Sequence, residues 1–113
     1  MDGLALCPRF EKAVTILTKR WTSLIIFQLL SGSQRFSQMQ EALPVSGRLL
    51  SERLKELEHE GIVIRTVIPE TPVRIEYSLS DKGLALAPVI QEIQTWSSEW
   101  ITKEEVITKE EVE

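Results

Sequence analysis

Apolar residues in the first third of the chain follow helical spacing. After Pro8, a residue that is tolerated in the first turn of a helix, they recur at intervals of four and three, at Phe10, Val14 and Leu17. This spacing predicts an amphipathic first helix. The apolar stretch from Trp21 to Leu30 predicts a buried second helix.

Two further helices are predicted around a short break. The segment Ser37-Gln38-Met39-Gln40 has the form of a capping box, which predicts a helix that ends at about Leu43. Ser46 is a favourable N-cap for the next helix, which covers residues 47–60, and Gly61 is a natural helix stop. The pattern therefore predicts two helices that are joined by a tight turn.

The spacing then changes from helical to extended. Residues 62–68 and 73–79 are rich in β-branched side chains and flank the segment Pro69-Glu70-Thr71-Pro72, which predicts a two-stranded hairpin. Because this segment contains two prolines, we expect a long loop rather than a two-residue turn.

A last helix is predicted after Ser80-Asp81, which can cap its first turn. Pro88 lies inside this helix and predicts a kink, because proline removes one backbone hydrogen bond. The apolar residues of the helix lie along one side: Leu86, Val89, Ile93, Trp96 and Trp100. After residue 100 the segment Ile-Thr-Lys-Glu-Glu-Val occurs twice in succession, which indicates a charged helical extension or a cloning remnant.

This order of elements predicts a winged helix-turn-helix, in which a short helix, a turn and a second helix precede a hairpin. We expect an α+β, mostly helical fold with a two-stranded wing. One domain over residues 1–100 would be followed by the extension over residues 101–113. A chain of 113 residues is long enough for one domain with a hydrophobic core and too short for two.

Composition narrows the possible functions. Apolar residues make up 42% and charged residues 27% of the chain, which is ordinary for a soluble globular protein. The sequence has neither an apolar run of membrane-spanning length nor the features of a secretory signal, so we expect a cytoplasmic protein without a membrane partner. One cysteine and one histidine exclude a disulfide framework and a structural zinc site, and no cofactor is expected.

The net charge of −4 argues against a nucleic-acid partner until its distribution is considered. Residues 1–60 carry 8 basic and 7 acidic groups, whereas residues 61–113 carry 5 basic and 10 acidic groups. The extension over residues 101–113 alone carries 2 basic and 5 acidic groups. The net charge therefore neither requires nor excludes DNA binding.

The fourth predicted helix has the two faces that DNA recognition requires. Its apolar side is formed by Leu50, Leu54 and Leu57, and the opposite side carries the polar residues Arg48, Ser51, Glu52 and Lys55. Arginine suits bidentate contacts to guanine, serine and lysine suit phosphates or groove edges, and glutamate suits the cytosine amino group. The same pattern also fits a solvated amphipathic helix with ion pairs between residues four apart.

Arg65 and Arg74 lie on the two predicted strands, on either side of the loop. In a wing that contacts DNA, such arginines would cross the phosphates or enter the minor groove. A strand arginine on its own is more often an exposed cross-strand partner, and Glu76 is an available neighbour.

Cys7 precedes Pro8 at a predicted helix N-terminus, with Arg9 and Lys12 close behind it. The helix dipole and nearby cations both stabilise a thiolate, so we expect a lowered pKa and a reactive thiol. The alternative is that Cys7 is a small buried hydrophobic residue. Because His59 is remote from Cys7 in sequence and no other catalytic partner is evident, an enzyme is not expected.

In their order along the chain, these features resemble the HxlR-type branch of the MarR-like winged-helix transcription regulators. The matching residues span about residues 7–100: Cys7-Pro8, Lys19-Arg20-Trp21, Arg35-Phe36, Leu50-Ser-Glu-Arg-Leu-Lys-Glu-Leu57, Glu60-Gly61, Arg65, Pro72, Glu76-Tyr77-Ser78-Leu79, Gly83, Pro88 and Trp96. One departure is Gly32-Ser33, which replaces the family's usual Gly-Pro after the second helix.

The resemblance implies a homodimer that binds a palindromic operator with two recognition helices. The first and last helices would form the dimer interface, with contacts from Leu6, Phe10, Ile93, Trp96 and Trp100. The residues expected at the DNA are Ser37, Ser46, Arg48, Ser51, Glu52, Lys55, Arg65 and Arg74.

The chain further resembles the redox-sensing members of that family, in which an N-terminal Cys-Pro cysteine responds to quinones and diamide-like electrophiles. Cys7 matches that position, and the chain lacks the second cysteine that some relatives carry. We therefore expect a repressor that releases its operator when Cys7 is modified. The alternatives are a winged-helix regulator without thiol sensing and a winged-helix protein-interaction module.

Overall fold

The computed structural model describes residues 7–106. Up to residue 100 they form six helices and three strands, and residues 103–106 are also helical. In chain order the elements are α1 (Pro8–Leu17), α2 (Thr22–Leu29), β1 (Gln34–Arg35), α3 (Phe36–Ala42), α4 (Gly47–His59), β2 (Val63–Ile68), β3 (Arg74–Leu79), α5 (Asp81–Leu84) and α6 (Ala87–Trp100). The fold is the predicted mostly helical winged helix-turn-helix, with a small antiparallel sheet.

The hydrophobic core lies between α2, the α3–α4 pair and the sheet. Helix α4 contributes Leu50, Leu54 and Leu57, whose spacing of four and three puts them on one side of the helix. Helix α2 contributes Ile25, Ile26 and Leu29. The core face that the sequence predicted for α4 is confirmed.

The end of α4 has the geometry that Gly61 predicted. Gly61 has a φ of 75°, a left-handed conformation that glycine adopts without a steric cost. The N–H of Ile62 donates to the carbonyl oxygen of Leu57 at 2.9 Å, and the N–H of Gly61 donates to that of Glu58 at 3.0 Å. This pair of bonds is a Schellman motif, which stops the helix and turns the chain into β2.

The sheet has one strand more than the sequence predicted. Strands β2 and β3 form the expected hairpin, with Val63 opposite Leu79 and Ile68 opposite Arg74. The two-residue strand β1 pairs antiparallel with the other edge of β3, which gives the order β1-β3-β2. Two residues carry no periodicity, so only the partner strand identifies β1.

The third helix starts one residue before the predicted capping box. Its N-cap is Arg35, whose N–H donates to Oε1 of Gln38 at 2.8 Å. Gln38 therefore makes the side-chain contact that the sequence had assigned to Gln40, and Ser37 lies inside the helix as an exposed residue.

The predicted last helix is two helices. Ser80 caps the short α5 as expected, since its Oγ accepts from the N–H of Gly83 at 3.1 Å. The helix is then interrupted after Leu84, and Pro88 lies in the first turn of α6. The predicted kink at Pro88 is therefore wrong. A proline in the first helical turn has no intrahelical hydrogen bond to lose, so it begins a helix rather than bending one.

Gly83 explains how closely α5 lies against the start of the hairpin. A Cβ at this position would lie 2.4 Å from the carbonyl oxygen of Ile62. Any larger residue would have to displace backbone there, so the approach requires glycine.

Two predictions concern the chain ends. Leu6 and the second Ile-Thr-Lys-Glu-Glu-Val copy, at residues 107–112, lie outside the described residues. Within the described range, no helix combines the length and the apolar character that a membrane span requires.

Candidate nucleic-acid interface

The turn between α3 and α4 is fixed from both sides. Leu43 and Val45 are buried in the core, which anchors the turn. The Oγ of Ser46 accepts from the N–H of Leu49 at 3.1 Å, and this confirms the predicted N-cap of α4. The hydroxyl of Ser46 thus caps the N-terminal end of α4, the end opposite Gly61.

Opposite its core side, α4 presents a polar surface. The side chain of Arg48 is 91% exposed, and its Nε lies 3.5 Å from Oε1 of Glu52. Lys55 is exposed and Ser51 is half-buried on the same surface. The ion pair that the solvated-helix interpretation predicted does form, but an exposed pair of this kind contributes little to stability and leaves Arg48 accessible.

The polar surface of α4 continues onto the hairpin. Ser51, Lys55 and Glu58 of α4 line a groove of about 260 Å³ together with Arg65 of β2 and Tyr77 of β3. Arg65 is opposite Tyr77 in the sheet, which fixes its position along the strand. Three residues that the sequence selected separately as DNA contacts, Ser51, Lys55 and Arg65, therefore line one groove.

The two arginines of the hairpin have different surroundings. Arg74 is half-buried, with its Nη2 3.1 Å from Oε1 of Glu70 and its Nε 3.2 Å from Oε2 of Glu76. Glu76 lies two residues further along the same strand and is the neighbour that the sequence offered as an alternative partner. Among the described residues, no carboxylate lies within ion-pair distance of Arg65, which is exposed. The positive charge of Arg65 is therefore more available for an external contact than that of Arg74.

Cys7 occupies the N-cap position of α1 and is exposed. In this single chain it is thus not the buried hydrophobic residue of the alternative interpretation. The backbone N–H groups of Phe10 and Arg9 in the first turn of α1 favour the thiolate and lower the pKa of the Cys7 thiol, with a smaller contribution from the Arg9 side chain. This lowered pKa agrees with the expected reactive thiol.

Large apolar side chains are exposed on α1 and α6. Phe10 is 66% and Trp100 is 68% exposed, and Ile93 and Trp96 are more than half exposed. Leu24 and Phe27 of α2 are exposed beside them, which corrects the prediction that the second helix is buried throughout. The run of apolar residues in α2 has no polar side, so it gave no indication of which side the fold covers.

A set of charged residues between α1 and α4 was missed in the sequence. Arg53 donates from Nε to the carbonyl oxygen of Arg20 at 2.9 Å and from Nη1 to Oε1 of Glu56 at 2.8 Å. Glu56 also accepts from Lys19, and Lys12 pairs with Glu60 at 3.3 Å. The three-residue spacing of Arg53 and Glu56 was visible as a local ion pair, but their contacts with the α1–α2 turn were not.

The contacts of Glu56 shift the pKa of its carboxyl group. The hydrogen bond from Lys19 lowers the pKa of the Glu56 carboxyl, and the charges of Lys19 and Arg53 act in the same direction. Partial burial opposes these effects without cancelling them. Next to this site the Arg20 guanidinium lies 5.0 Å from the centre of the Trp21 ring.

A comparison with known families agrees with the helix-turn-helix that the structure shows. Residues 16–105 match the HxlR-like helix-turn-helix family. The chain belongs to this family. It is therefore a DNA-binding transcriptional regulator of the HxlR type.

Among the described residues, no group of three or more His, Cys, Asp or Glu side chains is placed to hold a metal ion.

Two relatives from Bacillus subtilis (strain 168) are similar over most of the chain. The uncharacterised HTH-type transcriptional regulator YvaP is 70% identical over 102 residues, which cover 89% of this chain and 94% of YvaP. The HTH-type transcriptional regulator YodB is 44% identical over 110 residues, which cover 96% of this chain and 98% of YodB.

Solved structures of two other regulators have the same fold. The reduced form of YodB superposes with a TM-score of 0.77 at 47% identity and covers 86% of this chain and 96% of its own. Structures of diamide-treated and quinone-bound YodB match with TM-scores of 0.73 and 0.74. The oxidised form of the redox regulator HypR matches with a TM-score of 0.77 at 30% identity, over 82% of this chain and 96% of its own.

Proposed function

We propose that this HxlR-type regulator is a dimeric repressor that binds a palindromic operator and releases it when the Cys7 thiol is modified by a quinone or another thiol-reactive electrophile. The observation that carries the proposal is the position of Cys7, an exposed thiol of lowered pKa at the first turn of α1. The diamide-treated and quinone-bound structures of its relative YodB support a response to the same class of reagents.

In the proposed complex the polar surface of α4 enters the major groove. Arg48 extends freely enough to make a bidentate contact with guanine, while Ser51, Glu52 and Lys55 reach the neighbouring base edges or phosphates. Ser37 and Ser46 lie in the first turn of α3 and at the N-cap of α4, where helix N-termini favour phosphate.

The hairpin contributes a second contact in the same proposal. Arg65 faces the groove beside Lys55 and is assigned to a phosphate or to the minor groove. Arg74 is assigned a weaker contact, because it would first have to leave Glu70 and Glu76.

The exposed apolar residues of α1 and α6 form the proposed dimer interface. A single chain that leaves Phe10, Ile93, Trp96 and Trp100 largely in water has a surface typical of an interaction site. Pairing this surface with that of a second copy would place two α4 helices at a fixed separation. Operator half-sites about 34 Å apart require such a fixed geometry. Leu6 is assigned to the same interface from the sequence.

The chemistry at Cys7 depends on the electrophile. With a quinone, the thiolate sulfur adds to a ring carbon, and the electron pair of that C=C bond moves to a carbonyl oxygen. The same carbon then loses its proton as the ring becomes aromatic, and protonation of both oxygens leaves a hydroquinone thioether. With diamide, two thiols are oxidised to one disulfide while the N=N bond takes up two electrons and two protons. Since the sequence contains one cysteine, the second thiol comes from a small molecule or from the partner's Cys7.

A mobility-shift experiment with the DNA upstream of the protein's own gene tests the proposal. We expect the reduced protein to shift this DNA at nanomolar concentration and to release it after treatment with benzoquinone. Binding that is equally strong before and after complete modification of Cys7, verified by mass spectrometry, would contradict the sensing part of the proposal. Failure to bind this or any genomic fragment specifically would contradict the operator-binding part.

A further inference from the structure

The helix α4 has a third face, which is turned towards α1. On this face lie Arg53, Glu56 and Glu60, which follow one another at intervals of three and four. Glu60 Oε1 lies 3.3 Å from Nζ of Lys12 in α1, and Glu56 contacts Lys19 just after the end of α1. The helix that follows Cys7 is thus joined to the end of the recognition helix at Lys12, and the turn after it is joined to the recognition helix at Lys19.

Glu56 is the centre of these contacts. Its Oε2 accepts from Nζ of Lys19, and its Oε1 accepts from Nη1 of Arg53 at 2.8 Å. Arg53 donates through Nε to the carbonyl oxygen of Arg20 at 2.9 Å, and only 12% of its side chain is exposed. One oxygen of the Glu56 carboxylate and one N–H group of the Arg53 guanidinium therefore hold α4 against the α1–α2 turn, while the hydrogen bond between Arg53 and Glu56 links the two side chains within α4.

Apolar packing between α1 and α4 is incomplete. No residue of α1 is fully buried in the chain. A surface groove of about 370 Å³ separates α1 from α4, and its lining includes Ile16, Leu57 and the neighbouring Thr22 of α2. Because this groove keeps apolar side chains of the two helices apart, the polar contacts carry much of what fixes α1 relative to α4.

We infer that Glu56 and Arg53 are positioning residues, which hold the recognition helix in its DNA-binding orientation and pass a displacement of α1 on to it. The inference rests on the proposed function, because the displacement originates at Cys7, immediately before the first residue of α1. A movement of α1 that carries Lys19 with it pulls on Glu56 and disturbs the contact between Glu56 and Arg53. The orientation of α4, and with it the fit to the operator, changes as a result.

The test measures operator affinity of the full chain before and after alkylation of Cys7 with benzoquinone. It compares the wild type with Glu56→Ala, with Lys19→Ala and with the double variant. A matched control is Glu99→Gln, which removes one negative charge from an exposed position of α6. Thermal unfolding of each variant verifies that it is folded.

The informative quantity is the ratio of operator affinity before alkylation of Cys7 to operator affinity after it. For the wild type we expect a ratio within the range of about 5- to 150-fold that is typical of coupled sites, and for Glu56→Ala a ratio that falls towards 1. Lys19→Ala should lower the ratio in the same way, and the double variant should add little, because the two residues act as one pair. A residue with a merely structural role would weaken both forms equally and leave the ratio unchanged.

The outcomes separate this inference from the proposed function. If the wild type responds to benzoquinone and both single variants respond to the same extent, the positioning role is wrong while the sensing proposal stands. If Glu99→Gln lowers the ratio as much as Glu56→Ala, the effect is one of general charge and the positioning role is again wrong. If the wild type does not respond, thiol sensing and the transmission through Glu56 are both wrong.

Discussion

Lys55 and Arg65 line the same groove, although one lies on the recognition helix α4 and the other on strand β2. The Schellman turn at Gly61 brings them together, because it reverses the chain between the end of α4 and the start of the hairpin. The surface that we propose for DNA binding therefore combines residues of two elements. This arrangement explains how a chain with a net charge of −4 can present positive charge to a phosphate backbone.

The first prediction concerns the exposed face of α4. Arg48→Ala and Lys55→Ala should weaken operator binding without unfolding the protein, because both side chains point away from the core. The loss of a bidentate base contact by Arg48 should cost about 1–3 kcal/mol in binding. Fluorescence anisotropy with operator DNA measures the loss, and Lys103→Ala, which removes an exposed positive charge after α6, is the control. Unchanged affinity in both variants would show that this face does not contact DNA.

The second prediction separates the two arginines of the hairpin. Arg65→Ala should lower the slope of log affinity against log salt concentration by about 1 for each lost phosphate contact. Arg74→Ala should change the slope less, because Glu70 and Glu76 already offset its charge. A salt titration of operator binding measures both slopes. A larger change for Arg74→Ala than for Arg65→Ala would reverse the assignment.

The third prediction concerns assembly. Ile93→Asp should produce monomers with poor operator binding, because it puts a charge into the exposed apolar surface of α6. Sedimentation at micromolar concentration measures the oligomeric state. Gln91→Asp, which places the same charge two residues earlier on a different side of α6, should remain dimeric. A wild type that sediments as a monomer would contradict the interface.

The fourth prediction concerns the thiol. Cys7→Ser should bind the operator as the wild type does and should fail to release it on treatment with quinone or diamide. In the wild type, the rate of thiol alkylation should rise with pH around a midpoint below the ordinary pKa of a cysteine thiol, because the first turn of α1 favours the thiolate. A Cys7→Ser variant that releases DNA as readily as the wild type would show that Cys7 is not the sensor.

The fifth prediction concerns acid stability. The pKa of Glu56 is lowered in the folded protein, so the ionised carboxylate stabilises the fold at neutral pH. This stabilisation is fully present above the unfolded-state pKa, about 4.3, and is lost as the pH falls through the lower folded-state pKa. Glu56→Gln should therefore unfold at a lower temperature than the wild type at pH 7, and the difference should shrink below about pH 4. Thermal unfolding across this range measures it, and a difference that is independent of pH would contradict the role of the charge.

The sequence by itself determined the elements whose signals are local. The leucine spacing of α4, its N-cap at Ser46 and its stop at Gly61 depend on residues within one helix and its ends. The two β-branched segments around the proline-containing loop determined the hairpin in the same way. Because the order of these elements is characteristic, the winged helix-turn-helix followed from the chain alone, and the resemblance of residues 7–100 to the HxlR-type regulators indicated the family.

The tertiary structure decided what depends on residues distant in sequence. Strand β1 exists because β3 offers an unpaired edge, and Arg74 is held because two carboxylates lie within reach of its guanidinium. The side of α2 that stays exposed and the contact of Glu56 with the α1–α2 turn depend on how the helices pack, not on their own spacing. Periodicity along a chain indicates which side of a helix or strand is apolar, but only the folded structure shows which other element that side contacts.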